Sequence, residues 1–227
     1  MLFCEWEPVY IDILKDLRMD RTSDEASAKL LKMLTLNSNM ISDDELASLI
    51  GNGVIVAGGG VSGCEAKLLG MAPKGPARKR TLISAGSATD VLVANGVIPD
   101  IVVTDLDGNA ELQKKASSSG SVTMIHAHGD NSHLIMAHAK DFKGPIMITT
   151  QSAPDMILCN FGGFTDGDRA VCTARHFGAK DITLIGFDFD APSDKPGTDP
   201  EMKKRKLAWA KRIIHGMNPP DVTITSL

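Results

Sequence analysis

Two textures of apolar spacing divide the chain near residue 50. Before that point apolar residues recur at helical intervals, with Leu30, Leu31, Leu34 and Leu36 forming one stripe. Thr22-Ser23-Asp24-Glu25 and Ser42-Asp43-Asp44-Glu45 both fit the capping box. In that motif a hydroxyl residue and a Glu three positions later satisfy each other's backbone amides, so each stretch is expected to open a helix. From residue 53 short β-branched runs take over, at 54–56, 81–83, 101–103, 122–125, 146–148 and 182–185. Helical segments fall between them at 62–70, 87–95, 109–118, 131–141 and 166–178, and a last helix is expected at 199–215. Strands alternating with helices imply right-handed crossovers and a mostly parallel sheet with helices on both faces, an α/β fold. The expected division is a small helical N-terminal cap over residues 1–50, with no chemistry of its own, and an α/β catalytic domain over residues 51–227. Ligands bind such sheets beyond the carboxyl ends of the strands, so the residues that follow each run are the candidates.

Composition narrows this picture. Of 227 residues, 43% are hydrophobic and 4% aromatic, so the core must rest on aliphatic side chains, which suits a sheet covered by helices. The 24 basic against 28 acidic side chains give a net charge of −4, the wrong sign for a polynucleotide partner. The one basic cluster, Lys74, Arg78, Lys79 and Arg80, reads as a solvated loop, with a nucleotide-phosphate contact as its sharper alternative. Cys4, Cys64, Cys159 and Cys172 form no CxxC pair, which argues for a reducing compartment rather than a zinc site or disulfides. The first residues are acidic where a signal peptide needs a basic then apolar run, and no apolar stretch is long enough to span a membrane. The expectation is a soluble, cytoplasmic protein, its oligomeric state left open.

The candidate chemistry lies after the strands. The first is followed by Gly58-Gly59-Gly60-Val61-Ser62-Gly63, which matches GxGxxG. Such a loop either cradles phosphates on its backbone amides or serves packing alone. After the third come Asp105 and Asp107, two carboxylates able to face one hard cation. Mg²⁺ favours that supply, with waters and substrate phosphates completing its octahedron. After the fourth comes His126-Ala127-His128-Gly129-Asp130-Asn131, which resembles the start of the binuclear zinc site of metallo-β-lactamase-like hydrolases, but with Asn131 where a further histidine belongs. The milder reading lets Asp130 join the acidic cluster. Gln151, after the fifth, either meets a ligand's hydrogen-bonding edge or belongs to a cap. Then Thr165-Asp166-Gly167-Asp168-Arg169 opens a helix. Capping explains part of it, but Asp166 and Asp168 are also expected to bind metal while Arg169 neutralises phosphate charge. Asp188 and Asp190 follow the sixth strand, and the lysine-rich last helix reads as a solvated face.

Taken together, residues 99–108, 126–131 and 163–171 resemble the archaeal 6-hydroxymethyl-7,8-dihydropterin pyrophosphokinases, over nearly the whole chain. A more distant likeness is to thiamin pyrophosphokinases. Thr104-Asp105-Leu106-Asp107-Gly108 is similar to their GDxDS element and Thr165-Asp166-Gly167-Asp168-Arg169-Ala170 to their TDxxKA element, with arginine in place of lysine. Two departures stand out: Phe187-Asp188-Phe189-Asp190 replaces a GGRxDH segment, and Val61 stands where the archaeal pattern has proline. The resemblance implies a thiamin pyrophosphokinase-like catalytic fold and transfer of pyrophosphate from ATP to a pterin hydroxymethyl group, with AMP released. It implies Mg²⁺ on Asp105 and Asp107, with Asp130, Asp166 and Asp168 serving a second ion or its waters, and Arg169 offsetting charge on the bridging oxygen. Gly58, Gly59, Gly60 and Ser62, with Asp130, Asn131 and Gln151, are the expected nucleotide contacts. The rivals are a glycosyltransferase or nucleotidyltransferase, which also use DxD, and a non-catalytic nucleotide-binding module.

Overall fold

The computed structural model of the protein describes residues 1–71, 80–190 and 199–227. Its centre is a seven-stranded sheet of order β5-β4-β3-β2-β1-β6-β7 in which every pairing is parallel. The strands are β1 (Gly53–Ala57), β2 (Thr81–Ala85), β3 (Ile101–Thr104), β4 (Val122–Ala127), β5 (Ile146–Thr150), β6 (Asp181–Ile185) and β7 (Thr223–Ser226). The first six are those expected from the β-branched runs. The edge strand β7 escaped notice because its alternation of polar and apolar positions is short and mostly exposed.

Every residue of β2, β3, β4 and β5 is buried, as parallel strands covered on both faces require. Successive side chains go to opposite layers. Val54, Val56, Ile83, Ile101, Val103, Val122 and Met124 pack on one face, under Leu46 and Ile50 of α3 (Asp43–Leu49 and its C-cap) and under α8 (Asp166–His176). Leu82, Val102, Ile125, Ile146 and Ile148 point the other way. That second face is covered by α4 (Gly63–Met71), α5 (Ala88–Ala94), α6 (Ala110–Ser118) and α7 (Ser132–His138). The last helix, α9 (Pro200–Lys211), continues into a π-helical turn, Arg212–Gly216.

The N-terminal helices attach at two separate places. In α1 (Phe3–Leu17) the buried stripe Trp6, Tyr10, Ile13 and Leu17 packs against Phe164, Cys172 and Ile213, on the outer side of α8. In α2 (Arg21–Leu34) Ala28 and Leu31 pack instead with β4, β5 and α7. The Ser42 box opens α3 as expected. The Thr22 box does not: Asp20 is the cap, its carboxylate accepting from Thr22 N at 3.1 Å. A start two residues earlier places Asp24 inside the first turn, facing inward and buried.

Because all strands run the same way, the residues after β1 to β6 share one edge. Arg80 precedes β2 and pairs with Asp181 at the start of β6, on the opposite edge, which removes it from any phosphate contact there. Lys74, Arg78 and Lys79 lie outside the described residues. Among the described residues no helix is long and apolar enough to cross a membrane.

Candidate active site

The carboxyl edge of the sheet opens into a cavity of about 730 Å³. Its floor carries Asp105, Asp107 and Asp166, each offering an oxygen within 4.8 Å of the others. The turn after β3 explains the first two. Leu106 stands between them at φ 72°, a left-handed conformation that costs a non-glycine residue about 1–2 kcal/mol. Burial of its side chain among Ile125, Ile135 and Ile148 holds it there. The Thr104 hydroxyl accepts from Leu106 N at 2.9 Å, and Asp105 Oδ1 accepts from Asp107 N at 3.1 Å. Strain stored in this way at a turn bearing two aspartates is a sign of function rather than of folding convenience. Asp166 arrives from across the sheet, at the first residue of α8. Gly163, at φ 95°, lets the incoming chain approach the start of that helix, where a Cβ would lie 2.5 Å from Arg169 Cα.

Electrostatics mark the same residues. Burial and the charges of Asp105 and Asp107 push the Asp166 carboxyl well above its ordinary range, against the pull of Arg169. Burial acts on Asp105 too, but the hydrogen bond and charge of His128, with Arg169, outweigh it and hold this carboxyl low. His128 sits between two carboxylates, Nε2 3.1 Å from Asp105 Oδ2 and Nδ1 2.5 Å from Asp130 Oδ1. Those bonds overcome burial and raise its pKa to about 9. Arg169, buried, pairs through Nη1 with Asp166 Oδ1 at 2.9 Å.

Three oxygens this close, with one carboxylate pushed toward its neutral form, are what a hard divalent cation relieves. Oxygens on octahedral Mg²⁺ at about 2.1 Å stand roughly 3 to 4 Å apart, so Asp105, Asp107 and Asp166 fit it with small adjustment. Among the described residues this is the only group of three or more carboxylate, His or Cys ligand atoms so placed. No zinc-type histidine set forms among them: the His126 ring is buried against Thr149 Oγ1 at 3.0 Å, and His128 is held by its aspartates.

Several expected site residues do other work. Asp168 is fully buried, and its carboxylate accepts from Phe164 N at 2.8 Å, Thr165 N at 2.7 Å and the Thr165 hydroxyl. It is the capping partner of α8 and turns away from the three-oxygen group. Asp168→Ala is therefore expected to cost about 1–3 kcal/mol through unsatisfied buried donors, with the number of bound Mn²⁺ unchanged. Urea unfolding and a Mn²⁺ titration check both halves. Ser62 likewise pairs with Glu65, Oγ to Oε2 at 2.7 Å, in a capping box outside the cavity. Asn131 is buried, donating to His126 O at 2.7 Å and Asp105 O at 2.9 Å, so it braces the turns rather than meeting a nucleotide. Asp130 borders the cavity, but its carboxylate belongs to His128 and stands outside the three-oxygen group.

Gly58, Gly59 and Gly60 do line the cavity. However, Gly58 N donates to Ile185 O and Gly60 N to Gly186 O, so these two amides hold the loop after β6 instead of facing a phosphate. A Cβ on Gly58 would lie 2.8 Å from the Phe187 ring, which accounts for glycine there by packing. Three contributors were missed. Asp24, from the helices read as chemically silent, borders the cavity beside Gln151. Lys203 and Lys206, read as part of a solvated face, border it from α9. Spacing in the sequence carries no sign that α2 and α9 close over this edge.

Residues 32–194 match the family described as 6-hydroxymethylpterin diphosphokinase MptE-like. A relative from Pyrococcus furiosus, named 6-hydroxymethyl-7,8-dihydropterin pyrophosphokinase, is 39% identical over 211 residues, covering 92% of this chain and 87% of its own. One of the same name from Methanothermobacter thermautotrophicus is 38% identical, covering 92% of both chains. The chain belongs to the MptE-like 6-hydroxymethylpterin diphosphokinase family. Its curated relatives are enzymes, and membership places this chain among the pyrophosphokinases. Among solved structures, the MAf glycosyltransferase from Magnetospirillum magneticum AMB-1 shares the fold, with a TM-score of 0.53 at 14% identity. The match covers 88% of this chain but 38% of that one, and it speaks to the fold alone.

Proposed function

We propose that this enzyme transfers the pyrophosphoryl group of ATP to the hydroxymethyl group of 6-hydroxymethyl-7,8-dihydropterin, with Mg²⁺ on Asp105, Asp107 and Asp166. The observation that carries the reading is the meeting of those three carboxylates, from two distant segments, at the floor of one cavity. Family membership supplies the chemical class. In the reaction the pterin hydroxyl oxygen bonds to the β-phosphorus of ATP, the bond from that phosphorus to the α,β-bridging oxygen breaks, and AMP leaves with the electron pair. The hydroxyl proton passes to a cavity carboxylate or to water.

Bound Mg²⁺ supplies charge neutralisation for polyphosphate oxygens, which governs this class of transfer together with positioning. The chain's own residues do the rest. Asp105 and Asp107 are aimed into the cavity by the strained turn at Leu106, and His128 fixes the Asp105 carboxylate. Arg169, held by Asp166, keeps a guanidinium beside the carboxylates. Lys203 and Lys206 bring further positive charge to the cavity wall, suited to polyphosphate. At about 730 Å³ the cavity is within the range of small-molecule sites, and its aromatic border of Phe164, Phe187 and Phe189 suits a flat heterocycle.

The test is incubation with ATP, Mg²⁺ and the pterin, followed by chromatography. AMP and the pterin diphosphate are expected in equal amounts, each dependent on both substrates. Absence of AMP, or release of a nucleoside diphosphate from a nucleotide sugar instead, overturns the reading in favour of the DxD glycosyltransferase chemistry.

A further inference from the structure

A buried chain of hydrogen bonds runs from the N-terminal helices to the carboxylate group. It starts at Asp24 in α2, which is 3% exposed. Asp24 Oδ2 accepts from the Tyr10 hydroxyl at 2.6 Å and from Gln151 Nε2 at 2.8 Å, while Oδ1 accepts from Gly129 N at 2.7 Å. Gln151, also 3% exposed, turns its other amide atom the opposite way: Oε1 accepts from Arg169 Nη2 at 3.3 Å. The same nitrogen donates to Phe164 O, and Arg169 Nη1 reaches Asp166 Oδ1 at 2.9 Å. We propose that Asp24 is a positioning residue, which acts through Gln151 and Arg169 to hold Asp166 in place for the metal. The inference rests on the metal assignment above, and its kinetic arm rests also on the pyrophosphoryl-transfer reading.

Three arguments support it. First, polarity is transmitted. A glutamine amide has one donor end and one acceptor end, and a carboxylate on one side fixes which end faces the guanidinium on the other. Reversing the amide would set oxygen against oxygen at Asp24 and N–H against N–H at Arg169. Second, Asp24 is poorly placed to recognise a substrate directly, although it borders the cavity. Three protein donors already occupy its oxygens, and almost none of its surface is open. Third, fold support alone does not call for a charge here. Replacing Asp24 together with the Tyr10 hydroxyl and the Gln151 amide by apolar groups would fill the same space between α1, β4 and β5 without the desolvation that a buried carboxylate suffers. Partners that orient a metal-site residue from behind commonly govern metal affinity and rate as strongly as this placement implies.

The test uses the full-length protein and compares Asp24→Asn, the double variant Asp24→Asn with Gln151→Glu, and Gln151→Met. The amide that Asp24→Asn introduces must turn an N–H toward one of the three donors around it, which drives Gln151 to reverse and turn N–H toward Arg169. The double variant keeps net charge and restores the chain with opposite polarity. Its new amide can donate to its new carboxylate, and that carboxylate can accept from Arg169. Asp24→Asn is expected to lower kcat about tenfold and weaken Mn²⁺ binding by a similar factor, with the KM for ATP within about twofold. The double variant should recover most of both losses, which a purely structural role would not produce. Mn²⁺ binding, read by electron paramagnetic resonance without substrates, tests the relay even if the wild type forms no AMP. Absence of AMP from the wild type would refute the functional reading alone. Wild-type kcat and Mn²⁺ affinity in Asp24→Asn, or a double variant no better than the single, overturns the proposal. Should Asp24→Asn fail to fold, Gln151→Met is read in its place, since it cuts the relay but leaves Asp24 bonded to Tyr10 and Gly129. Tenfold losses there support the proposal and wild-type values overturn it.

Discussion

Asp105→Asn and Asp107→Asn are each expected to reduce turnover by at least about 100-fold, the upper end of what loss of a mere supporting partner of a metal ligand costs. Both exchanges preserve shape and remove one negative charge. The amide oxygen introduced by Asp105→Asn can still accept a hydrogen bond from Asp107 N, and Asp107 is exposed, so neither change opens a void. Removing a like charge from a group whose oxygens lie within 4.8 Å of one another relieves repulsion, so without metal Asp107→Asn should melt at or above the wild-type temperature, whereas Asp105→Asn should melt lower because it gives up the charged bond to His128 that holds that carboxyl low. The wild type should gain stability with rising Mg²⁺, because an ion that binds only the folded state stabilises it by mass action. The variants should lose that dependence. Differential scanning fluorimetry with and without Mg²⁺, beside the AMP assay, reads both effects. A variant that keeps normal turnover and the normal Mg²⁺-dependent shift removes that residue from the metal group.

The sequence was informative wherever chemistry follows directly from a strand. The β-branched runs at 54–56, 101–103 and 122–125 marked strands because a buried parallel strand needs apolar side chains on both faces, and their ends then located Asp105, Asp107 and His128. Asp166 was visible for a similar reason, as an acidic residue opening a helix beyond a Gly-Gly turn. Legibility failed where one residue type serves two physical purposes. Asp166 and Asp168 are both acidic residues in the first turn of α8, yet one faces the cavity and the other closes a capping box with Thr165. Only the helix phase separates them. The glycines at 58–60 are as easily explained by contact with Gly186 and Phe187 as by phosphate binding, and the amides of Gly58 and Gly60 are engaged in the first. Asp24 was hidden more deeply. Its stretch satisfies a capping pattern two residues away from the true cap, and its partners Gln151 and Gly129 lie more than a hundred positions along the chain. No local period encodes a contact of that range.

Arg169→Ala is expected to lower kcat by about 100- to 1000-fold, on the scale of losing one pre-oriented donor to developing charge, while the KM for ATP changes little. The side chain is buried in the first turn of α8, where a positive charge opposes the helix dipole, so helix formation does not explain it. Its guanidinium is anchored at several points: Asp166 through Nη1, and Gln151 and Phe164 O through Nη2. Such an anchored fork keeps its orientation and needs no rearrangement when charge appears beside it. Its pairing with Asp166 also makes a second role concrete, because loss of the guanidinium leaves a buried carboxylate without its counter-ion. The two roles separate by experiment. Arg169→Lys retains a charge near Asp166 but cannot reproduce the fork, so it should restore Mn²⁺ affinity while recovering only part of kcat. If Arg169 merely braces the loop, Arg169→Ala melts at a lower temperature with kcat near normal in the surviving fold, and Arg169 leaves the mechanism.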